Sequence, residues 1–387
     1  MNIVVAAHYN LNNGDRALLA ATLSILKTEY PNENIIISAY DPEKFVDNKY
    51  EVVRWALSNG IREKILLKLS YFRLFRIAFW NMCSIISDPG YVKAVKNADV
   101  VLISGGHHLT DFLSKSNYYR LAANFVLPIK YNKKIIMLPQ TIGPAKSKEV
   151  RNSISKILSK VSSLAYRDDS SLKFLKSLDV KINMRYVPDL VYSLTNHSKS
   201  NVDFNIVGVA LYHSYGKRNG DAILSFTISN LINVIDILLS KGFIVKVIQM
   251  DEGDEKVVDE IFSKLSSENK KQNFYLTGRN KDILEIIDEF SGLNFVIAYK
   301  THATIFSMIS KTPLIAVSYH SKTIEFMQRI GLADYVIKDN EASYEKICSL
   351  IDKVQENRSN ILKLEEMGVE ANRTLIRNYL MEMKRCF

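Results

Sequence analysis

The chain has 387 residues, of which 47% are hydrophobic and 24% charged. That is room for two domains with cores of their own, and it excludes disordered, collagen-like and coiled-coil chains. Lys and Arg (51) outnumber Asp and Glu (41), and the balance of +10 asks for an anionic partner: nucleic acid, an acidic membrane surface, or a phosphorylated or carboxylated small molecule. Cys83, Cys348 and Cys386 lack CxxC spacing, which argues against a zinc site and a disulfide framework and fits a reducing cytoplasm. Met1 to His8 lacks a basic region and a cleavage site, so a first strand is expected there and not a secretory signal.

From that strand onward, β-branched runs alternate with helix-length amphipathic stretches. Strands are predicted at Ile3–Ala7, Ile35–Ala39, Val100–Ser104, Ile135–Pro139 and Leu164–Arg167, with helices at Ala17–Lys27 and Lys148–Val161. The polar stretch Asn196–Asn201 reads as a linker. Beyond it, strands are predicted at Ile206–Tyr212, Phe243–Met250, Phe274–Leu276, Phe295–Tyr299 and Leu314–Tyr319. Helices fall near Ala222–Ser240, Lys256–Leu265, Lys281–Glu289, Ala303–Ser310 and Ile324–Ile330, and Glu341–Cys386 is helical and charged. Continuous apolar strands followed by helices predict parallel sheets covered on both faces. The expected fold is therefore α/β, with two Rossmann-like domains facing a central cleft. They span 1–196 and 202–356, and a helical segment, 357–387, follows. Ligands in such sheets bind at the carboxyl ends of the strands.

Segment 54–87 breaks the alternation. It holds Arg54, Arg62, Lys64, Lys68, Arg73 and Arg76 against Glu63, with Trp55, Trp80, Phe72, Phe75 and Phe79 among them. The pattern predicts a basic, aromatic-rich amphipathic helix, with no uncharged run near the ~20 residues of a membrane span. Two readings stay open. The helix lies on an anionic membrane, or it packs on its own domain or a second subunit.

Polar residues collect where the predicted strands end. The first strand leads into Asn12-Asn13-Gly14-Asp15 without a GxGxxG fingerprint. Such a turn, with Asp15 as helix cap, is either a plain loop or an anion or sugar site. Ser104-Gly105-Gly106-His107-His108 permits close approach of a ligand or of another backbone. Adjacent histidines make a poor chelate, and no metal site is predicted. Gln140 is expected at the cleft rim. Arg167 suits a carboxylate or phosphate, or else pairs with Asp168 to tie strand to helix. Lys300 and His302 can both face the cleft if the backbone stays extended between them. Ser318-Tyr319-His320-Ser321-Lys322 offers a second set of donors at the next strand end. A neutral-pKa imidazole beside an ammonium suits acid–base work or phosphate binding.

Taken in order, these motifs resemble the polysaccharide pyruvyl transferase family over most of the chain. The match runs through Asn12-Asn13-Gly14-Asp15 with Ala17-Leu18-Leu19, Gly105-Gly106 with Asp111, and Gln140-Thr141-Ile142-Gly143-Pro144. It continues through Arg167-Asp168-Asp169-Ser170-Ser171 with Leu175, and Pro188-Asp189. Lys300-Thr301-His302, Pro313, Tyr319 and Lys322 close it, with Lys300 where the family has Arg. The resemblance implies a fold similar to B-type glycosyltransferases. It also implies transfer of the enolpyruvyl group of phosphoenolpyruvate to a sugar diol of a cell-surface glycan or its lipid-linked precursor, as a pyruvate ketal.

On that reading His302 is the catalytic acid–base group. Arg167 and Lys300 hold the donor's carboxylate and phosphate, supported by Tyr319 and Lys322. Asn13, Gly14, Asp15, Gly105, Gly106, His107 and Gln140 form the acceptor side. No cofactor or metal is implied beyond phosphoenolpyruvate as substrate. The expected location is cytoplasmic, peripheral on the inner face of the cell membrane, and a homo-oligomer stays open. Nucleic-acid binding is disfavoured because no recognisable motif accompanies the basic segment. The alternatives are a glycosyltransferase that uses a nucleotide sugar and a non-catalytic subunit of glycan assembly.

Overall fold

Apolar runs early in the chain become the centre of a parallel sheet. In a computed structural model, which describes all residues except 8–11, 46–48, 58–81, 84, 113, 197–200, 212–220, 266, 279–280, 319–320 and 385–387, the chain divides into two units. The first comprises Met1–Leu11, Asp15–Leu190 and Leu375–Phe387. The second comprises Asn12–Gly14 and Val191–Thr374.

The first unit contains strands β1 (Asn2–Ala7), β2 (Asn34–Ala39), β3 (Glu51–Arg54), β4 (Val100–Ile103), β5 (Lys134–Gln140), β6 (Ser163–Tyr166) and β7 (Met184–Tyr186). They pair in parallel in the order β3-β2-β1-β4-β5-β6-β7. The central strands β1 and β4 are almost wholly buried, which is why they read as unbroken apolar runs. Helices α1 (Asn13–Glu29), α2 (Pro89–Asn97), α3 (Lys115–Lys130), α4 (Lys148–Leu158) and α5 (Asp169–Lys176) alternate with the strands. Three of these starts are fixed by side-chain caps: Asp88 accepts from Gly90 N and Tyr91 N, Ser114 from Asn117 N, and Asp168 from Ser171 N.

The second unit repeats the plan with β8 (Ile206–Ala210), β9 (Ile244–Ile248), β10 (Phe274–Thr277), β11 (Val296–Ala298), β12 (Leu314–Ser318) and β13 (Val336–Lys338). These are again parallel, in the order β10-β9-β8-β11-β12-β13. Its helices are α6 (Asp221–Ser240), α7 (Asp254–Lys264), α8 (Glu268–Gln272), α9 (Ile283–Asp288), α10 (Thr301–Ile309), α11 (Ser321–Arg329) and α12 (Tyr344–Glu356), followed by the long α13 (Arg358–Lys384). The strand order reverses between β1 and β4 in one unit and between β8 and β11 in the other. These are the points at which sheets of this kind open a crevice. The α/β class and the two Rossmann-like sheets follow the sequence expectation.

Several details differ from it. The units divide at Leu190/Val191, ahead of the polar stretch read as a linker, and Asn12–Gly14 group with the second unit. The segment 357–387 is no body of its own, since α13 belongs to the second unit up to Thr374 and to the first from Leu375. In the second unit Arg373 donates to Tyr192 O and Leu194 O, both at 2.9 Å. In the first, Glu382 pairs with Arg185 and Lys384 with Glu29.

The basic helix predicted within 54–87 falls largely on 58–81, outside the described residues. Its N-terminal flank is not helical, whereas Met82, Cys83, Ile85 and Ile86 on the other side are. Arg54 ends the edge strand β3 and pairs with Glu43. Trp55 is a core residue, 1% exposed, and its indole N–H lies 2.8 Å from Ala7 O and 3.1 Å from Ser38 O. Among the described residues no helix is long and apolar enough to cross a membrane.

Glu365 on α13 is 1% exposed, and neither carboxyl oxygen has a hydrogen-bond partner. Burial pushes this carboxyl well above its ordinary value of 4.5, and the charge of Arg358 opposes that only in part. The folded state therefore keeps a proton that the unfolded chain releases. Stability is full below about 4.5 and falls as pH rises through the window up to the folded-state value. Glu365→Gln is expected to flatten this slope, which is at most about 1.4 kcal/mol per pH unit for one proton. Urea melts of both proteins between about pH 5 and 8 check it, and parallel profiles would refute it.

Candidate functional site

Lys300 comes two residues after the end of β11 and keeps an extended backbone (φ −115°, ψ 140°) as the residue before α10. The helix begins at Thr301, so His302 sits in its first turn. The backbone does not stay extended from Lys300 through His302, the condition for both to face one way by alternation, and His302 lies at the helix N-terminus that the sequence indicates. A β-branched Thr at the end of a buried strand still accepts helical geometry when the strand ends one residue earlier. Lys300 is 5% exposed, and its Nζ lies 3.6 Å from Asp251 Oδ2. Asp251 follows β9, so the carboxyl ends of β9 and β11 meet beside β8. The chain directly after β8, 212–220, lies outside the described residues.

The neighbouring strand end is tied in. Thr301 Oγ1 and Thr323 Oγ1 are 2.7 Å apart, which joins the start of α10 to the start of α11, where Lys322 lies. The two cationic strand ends are thus adjacent, as the sequence suggested. Tyr319 and His320 lie outside the described residues.

The turn Asn12–Gly14 completes this site. Asn13 donates from its backbone N to Met250 O (2.9 Å) and from its carboxamide to Gln249 O (2.7 Å). Asn12 donates to Asp251 Oδ2 (3.2 Å) and accepts from Gly14 N (2.9 Å). Asn12 therefore supplies the cap expected of Asp15. Asp15 lies within the first turn of α1, where an acidic side chain suits the helix dipole. Gly14 faces His302 so closely that an added Cβ would lie 2.2 Å from the ring's Nδ1. The sequence placed Asn13 and Gly14 with the acceptor residues of the first domain. The structure groups them with Lys300 and His302. Sequence reasoning misses Asp251 and Gln249, although Asp251-Glu252 follows the predicted strand Phe243–Met250 in the same way as the other strand-end motifs.

In the first unit, strand ends gather Gly106, His107, Gln140, Arg167, Asp168 and Asp189. Arg167 pairs with Asp189, not with Asp168, and donates to Thr141 Oγ1 (3.1 Å) and Gly106 O (3.3 Å). Thr141 passes a hydrogen bond on to Asp168 Oδ2 (2.7 Å). Burial raises the Asp168 carboxyl, but donors from Ser171, Thr141 and Ser170 outweigh it and hold the group below its usual range. Gln140 is fully buried and donates to Ile103 O (3.1 Å), whereas the sequence put it at a rim. A strand residue bonded across to β4 has no rim position to take.

Gly105 serves packing: a Cβ there would meet Leu18 of α1 at 2.7 Å and Pro139 O at 3.0 Å. Gly106 has φ +140°, a conformation L side chains rarely adopt, and bridges to Gln140. His107 contacts Gly143 O through Nε2. Asp111 accepts from the backbone of Lys146 (2.9 Å) and Ser147 (3.0 Å), ahead of α4.

Comparison with known proteins supplies the remaining facts. The family model for polysaccharide pyruvyl transferase matches residues 12–321. The amylovoran biosynthesis protein AmsJ of Erwinia amylovora is 18% identical over 415 aligned positions, covering 96% of each chain. Among solved structures, a UDP-GlcNAc 2-epimerase of Methanocaldococcus jannaschii aligns with a TM-score of 0.57 at 10% identity, over 91% of this chain and 92% of its own. An α,α-trehalose-phosphate synthase (UDP-forming) of Burkholderia vietnamiensis aligns with 0.57 at 10% identity, over 100% and 99%. At such identities these structures are similar in fold alone.

Proposed function

Because the chain belongs to the polysaccharide pyruvyl transferase family, we propose that it moves the enolpyruvyl group of phosphoenolpyruvate onto a sugar diol of a cell-surface polysaccharide or its lipid-linked precursor. Family membership makes it a transferase of polysaccharide biosynthesis. The donor and the ketal product are the proposal. The observation that carries them is a buried ammonium, Lys300, two residues from an imidazole, His302, at the point where the second sheet reverses its strand order.

Phosphoenolpyruvate carries two anionic groups on three carbons, so its site needs cations close to a proton donor. On this reading Lys300 and Lys322 hold the carboxylate and phosphate, and Tyr319 supports the phosphate. His302 gives a proton to the methylene carbon as a sugar hydroxyl attacks the adjacent carbon. Phosphate leaves that carbon with the first hydroxyl's proton, and the second hydroxyl closes the ketal as its own proton returns to the imidazole. The polar strand ends of the first unit, with Gly106 and His107, are assigned to the acceptor, and Gln140, buried beside β4, is left to structure. Arg167 remains a donor ligand only if its bonds within the first unit yield to the substrate.

The test is incubation with labelled phosphoenolpyruvate and a lipid-linked glycan. An acid-labile ketal and one inorganic phosphate per transfer are expected, and in D2O the new methyl group should carry one deuterium. Phosphoenolpyruvate at about 100 times its Kd should stabilise the fold by about 2.7 kcal/mol. Stabilisation by a nucleotide sugar, with none by phosphoenolpyruvate, would overturn this reading in favour of a glycosyltransferase.

A further inference from the structure

The reaction above gives no task to the carboxylate that faces Lys300. Asp251 stands in a braced loop, because the backbone N–H groups of Met250 and Asp251 both donate to Asp254 Oδ2 at 2.8 Å. Asp254 is itself fully buried at the start of α7. The carboxylate of Asp251 is thus presented from a fixed backbone. Its Oδ2 serves two groups, Lys300 Nζ at 3.6 Å and Asn12 Nδ2 at 3.2 Å. The first distance is a charge contact and the second a hydrogen bond. A buried ammonium is costly without a counter-charge, so this carboxylate helps keep Lys300 in place.

Asn12 leads on to His302. It accepts from Gly14 N, the same turn is bonded at Asn13 to Met250 O and Gln249 O, and Gly14 lies against the imidazole. A side chain at position 14 would collide with Nδ1 at 2.2 Å and with Cγ at 2.7 Å. Cγ is anchored next to the backbone, so the whole ring would have to swing, not just its tip.

We propose that Asp251 is a positioning residue for the transfer reaction: one carboxylate oxygen couples the Lys300 ammonium to the Asn12–Gly14 turn, which backs the His302 imidazole. The inference rests on the reading that Lys300 and His302 serve the donor. It moves the turn from acceptor binding to alignment of the cation and the acid–base group.

The experiment compares Asp251→Ala, Asp251→Asn, Asn12→Ala and Gly14→Ala in the full chain, each checked for folding by circular dichroism. The first readout needs no substrate: acylation of Lys300 by an amine reagent, followed by mass spectrometry. Lys311, whose side chain is 72% exposed, is the internal control. Asp251→Ala and Asn12→Ala should each raise Lys300 labelling several-fold relative to Lys311. The second readout is kinetic. Asn12→Ala and Gly14→Ala should lower kcat by about 10²-fold, as for a misplaced reacting group, with little change in KM for phosphoenolpyruvate. Asp251→Asn keeps an acceptor for Asn12, so it should recover most of kcat while Lys300 labelling stays raised. Wild-type labelling of Lys300 in both Asp251→Ala and Asn12→Ala would overturn the proposal, and so would an unchanged kcat in Asn12→Ala and Gly14→Ala. If labelling responds as expected but the wild-type protein makes no ketal from phosphoenolpyruvate, the coupling stands and the proposed donor falls.

Discussion

His302→Ala is expected to lower turnover by about 10²–10⁴-fold, the usual worth of a general acid–base group, while the protein still folds and still binds phosphoenolpyruvate. The ring is half-buried in the first turn of α10 and packs on the main chain of Gly14. Neither contact forms part of the sheet's core, so its loss should leave the thermal midpoint near that of the wild type. Binding should persist because the donor's negative charges fall to Lys300 and Lys322. The measurement is kcat for ketal formation, with ligand-induced stabilisation as the binding control. Turnover within about threefold of the wild type would remove His302 from the chemistry, since a proton-transfer role cannot be that small.

Asp189→Ala is expected to destabilise the first unit by about 3–5 kcal/mol, because it leaves the Arg167 guanidinium buried without its counter-charge. The two side chains are 8% and 9% exposed. Two further bonds, to Thr141 and Gly106, aim the guanidinium at the strand ends. The loss should be larger than for a surface pair, which is worth about 0–1 kcal/mol. Chemical denaturation of the two proteins measures it. The same experiment separates two roles for Arg167. If it mainly ties β6 to the segment after β7, Arg167→Ala should cost stability on a similar scale. If it mainly holds the donor, Arg167→Ala should cost phosphoenolpyruvate affinity and little stability.

The parts legible in the sequence were those set by local pattern. Unbroken apolar runs such as Ile3–Ala7 and Leu314–Ser318 can only be interior strands when helices follow them. Polar residues at the ends of such runs mark the carboxyl edge of a sheet, so Lys300 and His302 stand out in the sequence alone. What stayed hidden depended on strand order. The sequence offers Arg167 either an anionic ligand or its neighbour Asp168, but β6 lies beside β7, and that brings Asp189 to the guanidinium. Asp251 was passed over because its value comes from the adjacency of β9, β8 and β11, which no spacing announces. The short edge strands β3, β7 and β13 escape for another reason: three or four residues carry too little periodicity to register.

Trp55 has a practical consequence. Of the two tryptophans of the chain, Trp55 is the described one and belongs to the first unit, while residues 191–374 of the second contain none. The indole of Trp55 is sealed between β1 and β2, so its emission follows the integrity of that sheet. Tryptophan fluorescence is thus an intrinsic dye for one half of the molecule, while far-ultraviolet dichroism sums both. A denaturation in which the two signals part company would time the loss of the Lys300 site separately from that of the Arg167 cluster, without any label.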